Sequence, residues 1–342
     1  MRFAWMLCVT VGLQAAQGQA ARQSAAASSA APGPGKPATS GQDGSTLSIA
    51  SLRRAVAQNP SDTALRLKLA TAYFRVGDLT HARIEYEAVH AAEPGNLAAA
   101  LGLGYTYVKL GRYEDAVELL APFEHEHASN LDLEYVLGYA QIEAGQSAQG
   151  IPRMEAVARS RHSADAYLIA GSAWMFLKQY KPAKADVDAA RALNPALPGL
   201  QTLVGHVYYA LGDLDVAVPA LQAALRQDPR DFTANLYLGS IRLKQGDFAD
   251  ARPLLELALQ LGPNVPLARL EVARLDSMTG KYAQALPALE ALESENPDWL
   301  DPHIELAALY YKLHRPADGE RERQIVVRLQ TKLEKDRDKS GK

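Results

Sequence analysis

Apolar residues recur at intervals of three and four positions over most of the chain beyond residue 46. One clear stretch contains Leu200, Leu203, Val204, Val207 and Tyr208. This spacing places the five side chains on one face of an α-helix, with polar residues on the other faces. Similar stretches follow one another along the chain, separated by short breaks that contain glycine or proline. The pattern therefore predicts a succession of short amphipathic helices.

The breaks between these stretches are regularly spaced. Prolines recur at steps of 34 residues, at Pro60 and Pro94 and again at Pro195, Pro229, Pro263 and Pro297. Glycines keep the same step, with one slip of a single residue, at Gly77, Gly111, Gly145, Gly212, Gly246 and Gly280. Glycine ends a helix in a left-handed cap, and proline stops the helix that follows. Each period therefore predicts a helix, a tight turn and a second helix, and the constant period predicts a stacked array of such units.

The period divides the chain into eight repeats, and the third is one residue short: 63–96, 97–130, 131–163, 164–197, 198–231, 232–265, 266–299 and 300–333. The eighth and the twentieth residue of every repeat are small, as with Gly205 and Ala217 in the fifth. Small residues in both helices indicate that the two helices cross closely. Six repeats have glycine at the fifteenth place, and Lys178 and His314 are the exceptions.

The repeats resemble the tetratricopeptide repeat family. The fifth repeat carries the family's motif most clearly, as Val204, Gly205, Tyr208, Gly212, Ala217, Leu221, Ala224 and Pro229. The resemblance covers about residues 63–333, with departures such as Gln141, Arg242 and Asp276 in place of an aromatic residue. It implies an all-α fold, an α-solenoid of tandem helix-turn-helix repeats that forms a right-handed superhelix.

Several prolines lie inside predicted second helices. Pro122 lies deep in its helix, so we expect that helix to kink or end early. Four other prolines share the twenty-second place of their repeats, where we expect them near the first turn and therefore at little cost. These are Pro152, Pro219, Pro253 and Pro287.

The two ends of the chain differ from the repeats. Residues 1–20 contain Arg2, an apolar stretch and small residues, which predicts an export signal and a periplasmic or secreted protein; an uncleaved anchor or a disordered start is the alternative. Residues 21–45 are rich in Ala, Ser, Gly and Pro and read as a flexible linker. Residues 46–62 predict an N-terminal capping helix, and 334–342 a charged C-terminal tail.

Charge and motifs give little support for catalysis or nucleic-acid binding. The net charge of −3 provides no basic face for nucleic acid, and Cys8 is the one cysteine, inside the predicted signal. The His125-Glu126-His127 run has no third ligand nearby in the sequence, and no phosphate loop, HExxH or nucleophile elbow occurs. We expect no enzyme activity, no cofactor, no metal, and no membrane insertion once the signal is cleaved.

The resemblance also implies where a partner would bind. In this family, certain places of the first helices face a concave groove, and carrying these places over gives Phe74, Tyr105, Lys109, Tyr135, Tyr139, Phe176, His206, Tyr209, Lys244 and Arg274. Tyrosine suits peptide recognition because it offers a large contact area with few rotatable bonds. The alternative is that several of these aromatic residues pack between adjacent repeats. The lysine and arginine clamp of one carboxylate-binding subgroup is absent, since Leu67, Thr71 and Leu101 stand at these places.

Two functions follow from the sequence. The first is a scaffold that binds a protein or peptide of unknown identity in its concave groove. The alternative is an assembly subunit of a secretion, pilus or polysaccharide export machine that acts through its convex face or its ends.

Overall fold

A computed structural model describes the backbone of residues 48–340 and the side chains of residues 48–335. The predicted signal peptide and linker lie outside the described residues. The described part consists of seventeen α-helices and one short 3₁₀ segment. In chain order the helices are α1 (Ile49–Gln58), α2 (Thr63–Arg75), α3 (Leu79–Ala92), α4 (Leu97–Lys109), α5 (Tyr113–Leu120), α6 (Leu131–Glu143), α7 (Ser147–Arg161), α8 (Ala164–Phe176), α9 (Tyr180–Leu193), α10 (Leu200–Leu211), α11 (Leu214–Gln227), α12 (Phe232–Lys244), α13 (Phe248–Leu261), α14 (Pro266–Met278), α15 (Tyr282–Glu295), α16 (Leu300–Lys312) and α17 (Pro316–Ser340).

Each of the eight repeats contains two of these helices, from α2 and α3 in the first to α16 and α17 in the last. From α1 to α9 and from α11 to α17, helices that follow one another pack together, because a single amphipathic helix cannot bury its apolar face by itself. The first helices of neighbouring repeats also touch, as α2 does with α4 and α12 with α14. The prediction of an all-α repeat solenoid is confirmed.

The described helices form two compact bodies, residues 48–200 and residues 201–340. The core of the first body includes Leu69 and Tyr86 near its start and Leu120, Leu133 and Leu137 further along. The core of the second body is built mostly from leucine and alanine, in clusters around Leu255 and Leu275 and around Leu289 and Leu306. Within the described residues, no helix is both long and apolar enough to cross a bilayer.

Polar side chains fix the starts of many helices. Asp62, Asn96, Asn130, Ser163 and Asp231 each accept a hydrogen bond from the backbone N–H three residues later. These N–H groups have no partner inside the helix, so a side-chain acceptor at this position stabilises the start of the helix. In these five repeats the residue before the first helix therefore fixes where that helix begins.

The turn between the two helices of a repeat has a left-handed residue. Gly77, Gly111, Gly145, Gly212, Gly246 and Gly280 have φ angles between 71° and 82°. Lys178 and His314, which replace glycine in two repeats, adopt φ angles of 57° and 58°. The turn is therefore retained in these repeats, although a side chain in the left-handed region costs about 1–2 kcal/mol.

Lys178→Gly is expected to stabilise the protein by about 0.5–1 kcal/mol, because glycine adopts this φ without the clash of a Cβ atom. Gly246→Ala is the matched reverse change. A Cβ at Gly246 has no atom within 4 Å, so its cost is conformational and of similar size but opposite sign. Urea unfolding of the three proteins checks both values, and a destabilised Lys178→Gly protein would contradict the argument.

The prolines inside second helices behave in two ways. Helix α5 ends at Leu120 and continues as the 3₁₀ segment Ala121–Phe123, which confirms that Pro122 ends its helix early. The four prolines at the twenty-second place were expected near the first turn. Each is instead the sixth residue of its helix, as Pro152 is in α7. Because the amide of that position would normally bond within the helix, each proline removes one helical hydrogen bond, and the expectation of little cost was wrong.

The small residues of the two helices meet where the helices cross. A Cβ atom on Gly205 of α10 would lie 2.5 Å from the Leu221 side chain of α11, and one on Gly239 would meet Leu255 at 2.7 Å. Both distances are too short for carbon atoms in contact, so the glycines allow the close crossing that the sequence predicts.

Some repeats also join their two helices by a polar pair, between their fourth and twenty-third residues. Arg66 donates to Glu85 at 2.7 Å, and Arg153 donates to Glu134 at 2.8 Å. In the eighth repeat the same two places hold His303 and Glu322, 2.7 Å apart. In the fourth repeat the twenty-third residue is Asp186, but the fourth is Tyr167, which carries no positive charge.

Candidate functional site

The ten residues that the sequence singles out all lie on first helices, from α2 to α14. They occupy the fifth, ninth, twelfth or thirteenth place of their repeats, spacings that belong to one face of a helix. Because neighbouring first helices touch within each body, these faces form a continuous surface there, which we call the first-helix strip.

In the first body, rings of adjacent repeats meet on the first-helix strip. Phe74 of α2 and Tyr105 of α4 have ring centroids 6.5 Å apart, and both are half-buried. Lys109, one turn further along α4, is exposed. Tyr135 of α6 is half-buried, and burial raises the pKa of its hydroxyl to about 12, with the nearby Asp165 carboxylate as a smaller cause. These tyrosines are therefore neutral hydrogen-bonding groups at any physiological pH.

Tyr139 is the exception in the first body. Only 8% of it is exposed, and its ring packs edge-on against Tyr113 with centroids 6.3 Å apart. Burial, and then the charge of Glu143, raise the pKa of Tyr139 well above its usual range. The expectation that Tyr139 is open to the groove is therefore corrected: its ring packs between helices.

In the second body, the strip contains an aromatic–lysine cluster formed by His206, Tyr209, Tyr237 and Lys244. The ring of Tyr237 stacks on His206 at 4.2 Å and meets Tyr209 at 4.8 Å. Lys244 donates from Nζ to the Tyr209 hydroxyl at 2.8 Å, and the same nitrogen lies 4.8 Å from the centre of the Tyr209 ring. The cluster therefore combines flat apolar ring surface with one exposed positive charge.

His206 is the buried member of this cluster, with 9% of its surface exposed. Burial lowers the pKa of its imidazole to about 4, so the ring is neutral at pH 7. The expectation of exposure is corrected here as well. His206 packs against one face of the Tyr237 ring and does not offer a charged group to a partner.

Arg274 of α14 lies within a network of carboxylates. Its guanidinium donates to Glu305 and to Glu271, both at 2.7 Å, and Asp301 lies 4.0 Å away. Burial raises the pKa of the Glu271 carboxyl, and the charges of Arg274 and Lys244 partly offset that effect. The charge of Arg274 is therefore already balanced by carboxylates, and the side chain joins the seventh and eighth repeats instead of forming an open anion site.

Exposed apolar side chains gather at the carboxyl ends of the first helices. At the thirteenth and fourteenth places of several repeats, between 37% and 65% of the side chain is exposed, in Val76, Leu110, Phe176, Leu177, Leu211 and Met278. Phe176, predicted from the sequence, is 59% exposed and is the largest of them. Within each body, exposed apolar side chains thus recur at the carboxyl ends of the first helices, a feature that is common on interaction surfaces.

Two features of the described residues were missed in the sequence. Tyr237 occupies the sixth place of its repeat, outside the places carried over from the family, although its aromatic character was a usable signal. A surface cleft of about 340 Å³ lies between α3, α4 and α5, where Glu87, Asp115 and Glu118 provide carboxylates. The Nδ1 atom of His90 in this cleft is buried and has no hydrogen-bond partner in the described part of the chain.

The histidines of the His125-Glu126-His127 run do not converge. His127 stacks on Phe123 at 6.3 Å, while His125 and Glu126 are exposed. Within residues 48–335, three side chains that could share a metal ion come together elsewhere, at Glu293, His303 and Glu322.

Sequence comparisons agree with this fold. A family model described as "Tetratricopeptide repeat" matches residues 42–96 and 204–266, and a second with the same description matches 77–135 and 242–301. Together they cover more than half of the chain. No protein with curated function matches the sequence significantly.

The solved structures that resemble this chain include a repeat protein. A tetratricopeptide repeat protein from Parabacteroides merdae is 16% identical, with a TM-score of 0.52 over 70% of this chain and 94% of that one. The APC/C hetero-tetramer Cut9–Hcn1 gives 14% identity and a TM-score of 0.55, over 82% of this chain and 56% of that one. Pseudomonas aeruginosa pilF gives 19% identity and a TM-score of 0.51, over 60% and 93%. The repeat pattern, the paired helices and the matching family models together show that this chain belongs to the tetratricopeptide repeat family.

Proposed function

We propose that this protein is a non-catalytic scaffold that binds a peptide or protein segment along the first-helix strip, in the concave groove expected of such repeats. Tetratricopeptide repeats in general support protein interaction. The observation that carries the finer proposal is the row of exposed apolar side chains at the carboxyl ends of the first helices. Burying these apolar side chains against a partner removes them from water and so makes the free energy of binding more favourable.

The chemistry of the first-helix strip suits a protein ligand. Aromatic rings and aliphatic side chains provide contact area, and the exposed Lys109 and Lys244 provide positive charge at the edge of the strip. Interfaces combine such apolar centres with a polar rim. Charged side chains of the strip already form hydrogen bonds with neighbouring side chains, as Lys244 does with Tyr209 and Arg274 with Glu305. Side chains fixed in this way suit the positioning and recognition of a partner.

A capture experiment tests the strip. The immobilised mature chain is incubated with extract of the native cells, and the Lys244→Glu protein is compared with it. We expect capture of the specific partner to fall on the order of tenfold, because reversing a charge beside a central ring cluster costs at least about 1.4 kcal/mol. Lys281→Glu is the matched control, since Lys281 is also exposed but precedes the second helix α15. Equal capture by both variants would contradict the proposal.

The same experiment includes an arm for the alternative function, an assembly subunit that uses its convex face or ends. The acidic cleft between α3, α4 and α5 is the observation that favours this alternative, because all three of its carboxylates lie on the second helices α3 and α5. Glu118 is exposed there, so Glu118→Lys changes the cleft without disturbing the core. Loss of capture with Glu118→Lys, together with full capture by Lys244→Glu, would favour the assembly role.

We also propose that the protein is exported and acts in the periplasm or outside the cell, on the basis of the signal pattern in residues 1–20. N-terminal sequencing of the protein from its native cells is expected to start near residue 19 or 21, since small residues precede both positions. A chain that still begins at Met1 in an intracellular fraction would contradict export.

A further inference from the structure

The last repeat has a buried histidine between two carboxylates. His303 of α16 is 2% exposed and Glu322 of α17 is 4% exposed, and Nδ1 of His303 lies 2.7 Å from Oε2 of Glu322. Glu293 of α15 brings a second carboxylate, and the three ligand atoms lie within 4.8 Å of one another. The three consecutive helices α15, α16 and α17 thus bring one imidazole nitrogen and two carboxylates together.

The other nitrogen of His303 determines which atom faces the carboxylates. Nε2 lies 3.0 Å from the carbonyl oxygen of Pro297. That oxygen can only accept, so Nε2 carries a hydrogen and donates it. In neutral imidazole the lone pair is then on Nδ1 and points toward Glu322. Histidines that bind a metal ion through one ring nitrogen commonly donate the N–H of the other to a backbone carbonyl in this way.

This contact differs from the other polar pairs at the same two places of the repeat. In Arg66–Glu85 and Arg153–Glu134 a permanent positive charge meets a carboxylate. Imidazole has no permanent charge, so a lone pair and a carboxylate oxygen at 2.7 Å need a proton or a cation between them. A second carboxylate, that of Glu293, lies close to the same pair, with the three ligand atoms within 4.8 Å of one another.

We propose that Glu293, His303 and Glu322 form a binding site for a divalent transition-metal ion of the zinc type. One imidazole nitrogen and carboxylate oxygens are ligands that zinc accepts, and three protein ligands leave one position of a tetrahedral ion for water or for a group from another molecule. Leu289 and Leu292 of α15 and Leu306 of α16 belong to the buried apolar core that holds these helices together. The ion would join the last three helices of the array.

Zinc titration of the metal-free full chain tests this site. After treatment with EDTA, calorimetry is expected to show one tightly bound zinc ion per chain, and zinc is expected to raise the unfolding temperature. Cobalt(II), used as a second probe, is expected to give the visible absorption of a four-coordinate ion. A chain that binds no zinc, or binds it without any rise in unfolding temperature, would show that a proton alone holds His303 and Glu322 together and would overturn the proposal.

Variants assign the site to these side chains. Glu293→Gln removes one ligand but leaves the His303–Glu322 contact intact, so the chain should fold and its zinc affinity should fall at least about tenfold. Glu290→Gln is the matched control, because Glu290 lies one turn earlier on α15 and bonds the Tyr310 hydroxyl. A double variant, His125→Ala with His127→Ala, should keep full affinity. Equal affinity of Glu293→Gln and Glu290→Gln, or loss in the double histidine variant, would overturn the assignment.

Discussion

Gly150→Ala is expected to destabilise the protein by about 3 kcal/mol or more. Gly150 of α7 faces Gly138 of α6 at the crossing of the third repeat. A Cβ atom there would overlap the carbonyl oxygen of Gly138 and would lie 2.9 Å from the backbone nitrogen of Ile142. Backbone atoms cannot rotate away as a side chain can, so the two helices must separate and lose packing along their length.

Gly95→Ala is the matched control for this prediction. Gly95 lies in the turn before α4, and a Cβ atom there would have no atom within 4 Å. Its effect should stay within about 0.5 kcal/mol. Urea unfolding monitored by circular dichroism measures both variants. Equal unfolding midpoints for the two would show that α6 and α7 do not cross as closely as described.

Asp186→Asn is expected to stabilise the protein by roughly 2–4 kcal/mol at pH 8. Asp186 of α9 is 6% exposed, and its Oδ2 atom has no hydrogen-bond partner within the described residues. Burial, and next the charge of Glu155, raise the pKa of Asp186 from 3.8 to about 7. The missing partner has a simple origin: Tyr167 occupies the place where the first and eighth repeats have Arg66 and His303 opposite a carboxylate.

The sign of the pH dependence follows from that shift. Between about pH 4 and pH 7 the folded chain holds a proton on Asp186 that the unfolded chain has lost, so the free energy of unfolding falls as pH rises. The loss is complete above pH 7 and absent below pH 4. The advantage of Asp186→Asn should therefore be largest at pH 8 and disappear near pH 4.

Unfolding free energies of the wild-type and Asp186→Asn proteins at pH 4, 6 and 8 measure this difference. Comparing the two proteins at each pH removes the contribution of the other titrating groups. Asp215→Asn, at an exposed position on α11, should change stability by no more than about 0.5 kcal/mol at any pH. A gain for Asp186→Asn that does not depend on pH would contradict the assigned pKa.

Much of the fold could be predicted from the sequence because the same pattern of a helix pair recurs in eight repeats, so that each repeat supports the interpretation of the others. The glycine at the fifteenth place, the small residues at the crossing and Pro122 each have a local cause that one stretch of sequence contains. Gly150 shows the limit of this reasoning. Alanine occupies the same place in most other repeats, as Ala217 does in the fifth. Only the structure shows that the third repeat has no space for a methyl group at this place.

The candidate site was less predictable because the exposure of each aromatic side chain depends on how a neighbouring repeat packs against its ring. Tyr139 and His206 occupy the same place in the repeat as the half-buried Tyr105, yet Tyr113 and Tyr237 cover them. Contacts between side chains of different helices could also not be predicted from the sequence. Glu293, His303 and Glu322 have no motif spacing, and only the packing of three helices brings them together.

We propose that a partner binds to the first helices and not to the second helices. Photo-cross-linking in native cells tests it directly, with a benzophenone amino acid placed at Phe176 or Tyr311 on first helices and at Ile84 or Val327 on second helices. All four side chains are between 42% and 60% exposed, so solvent access is matched. We predict that the first-helix positions cross-link to one common protein and the second-helix positions do not. Cross-links confined to Ile84 and Val327 would contradict the account.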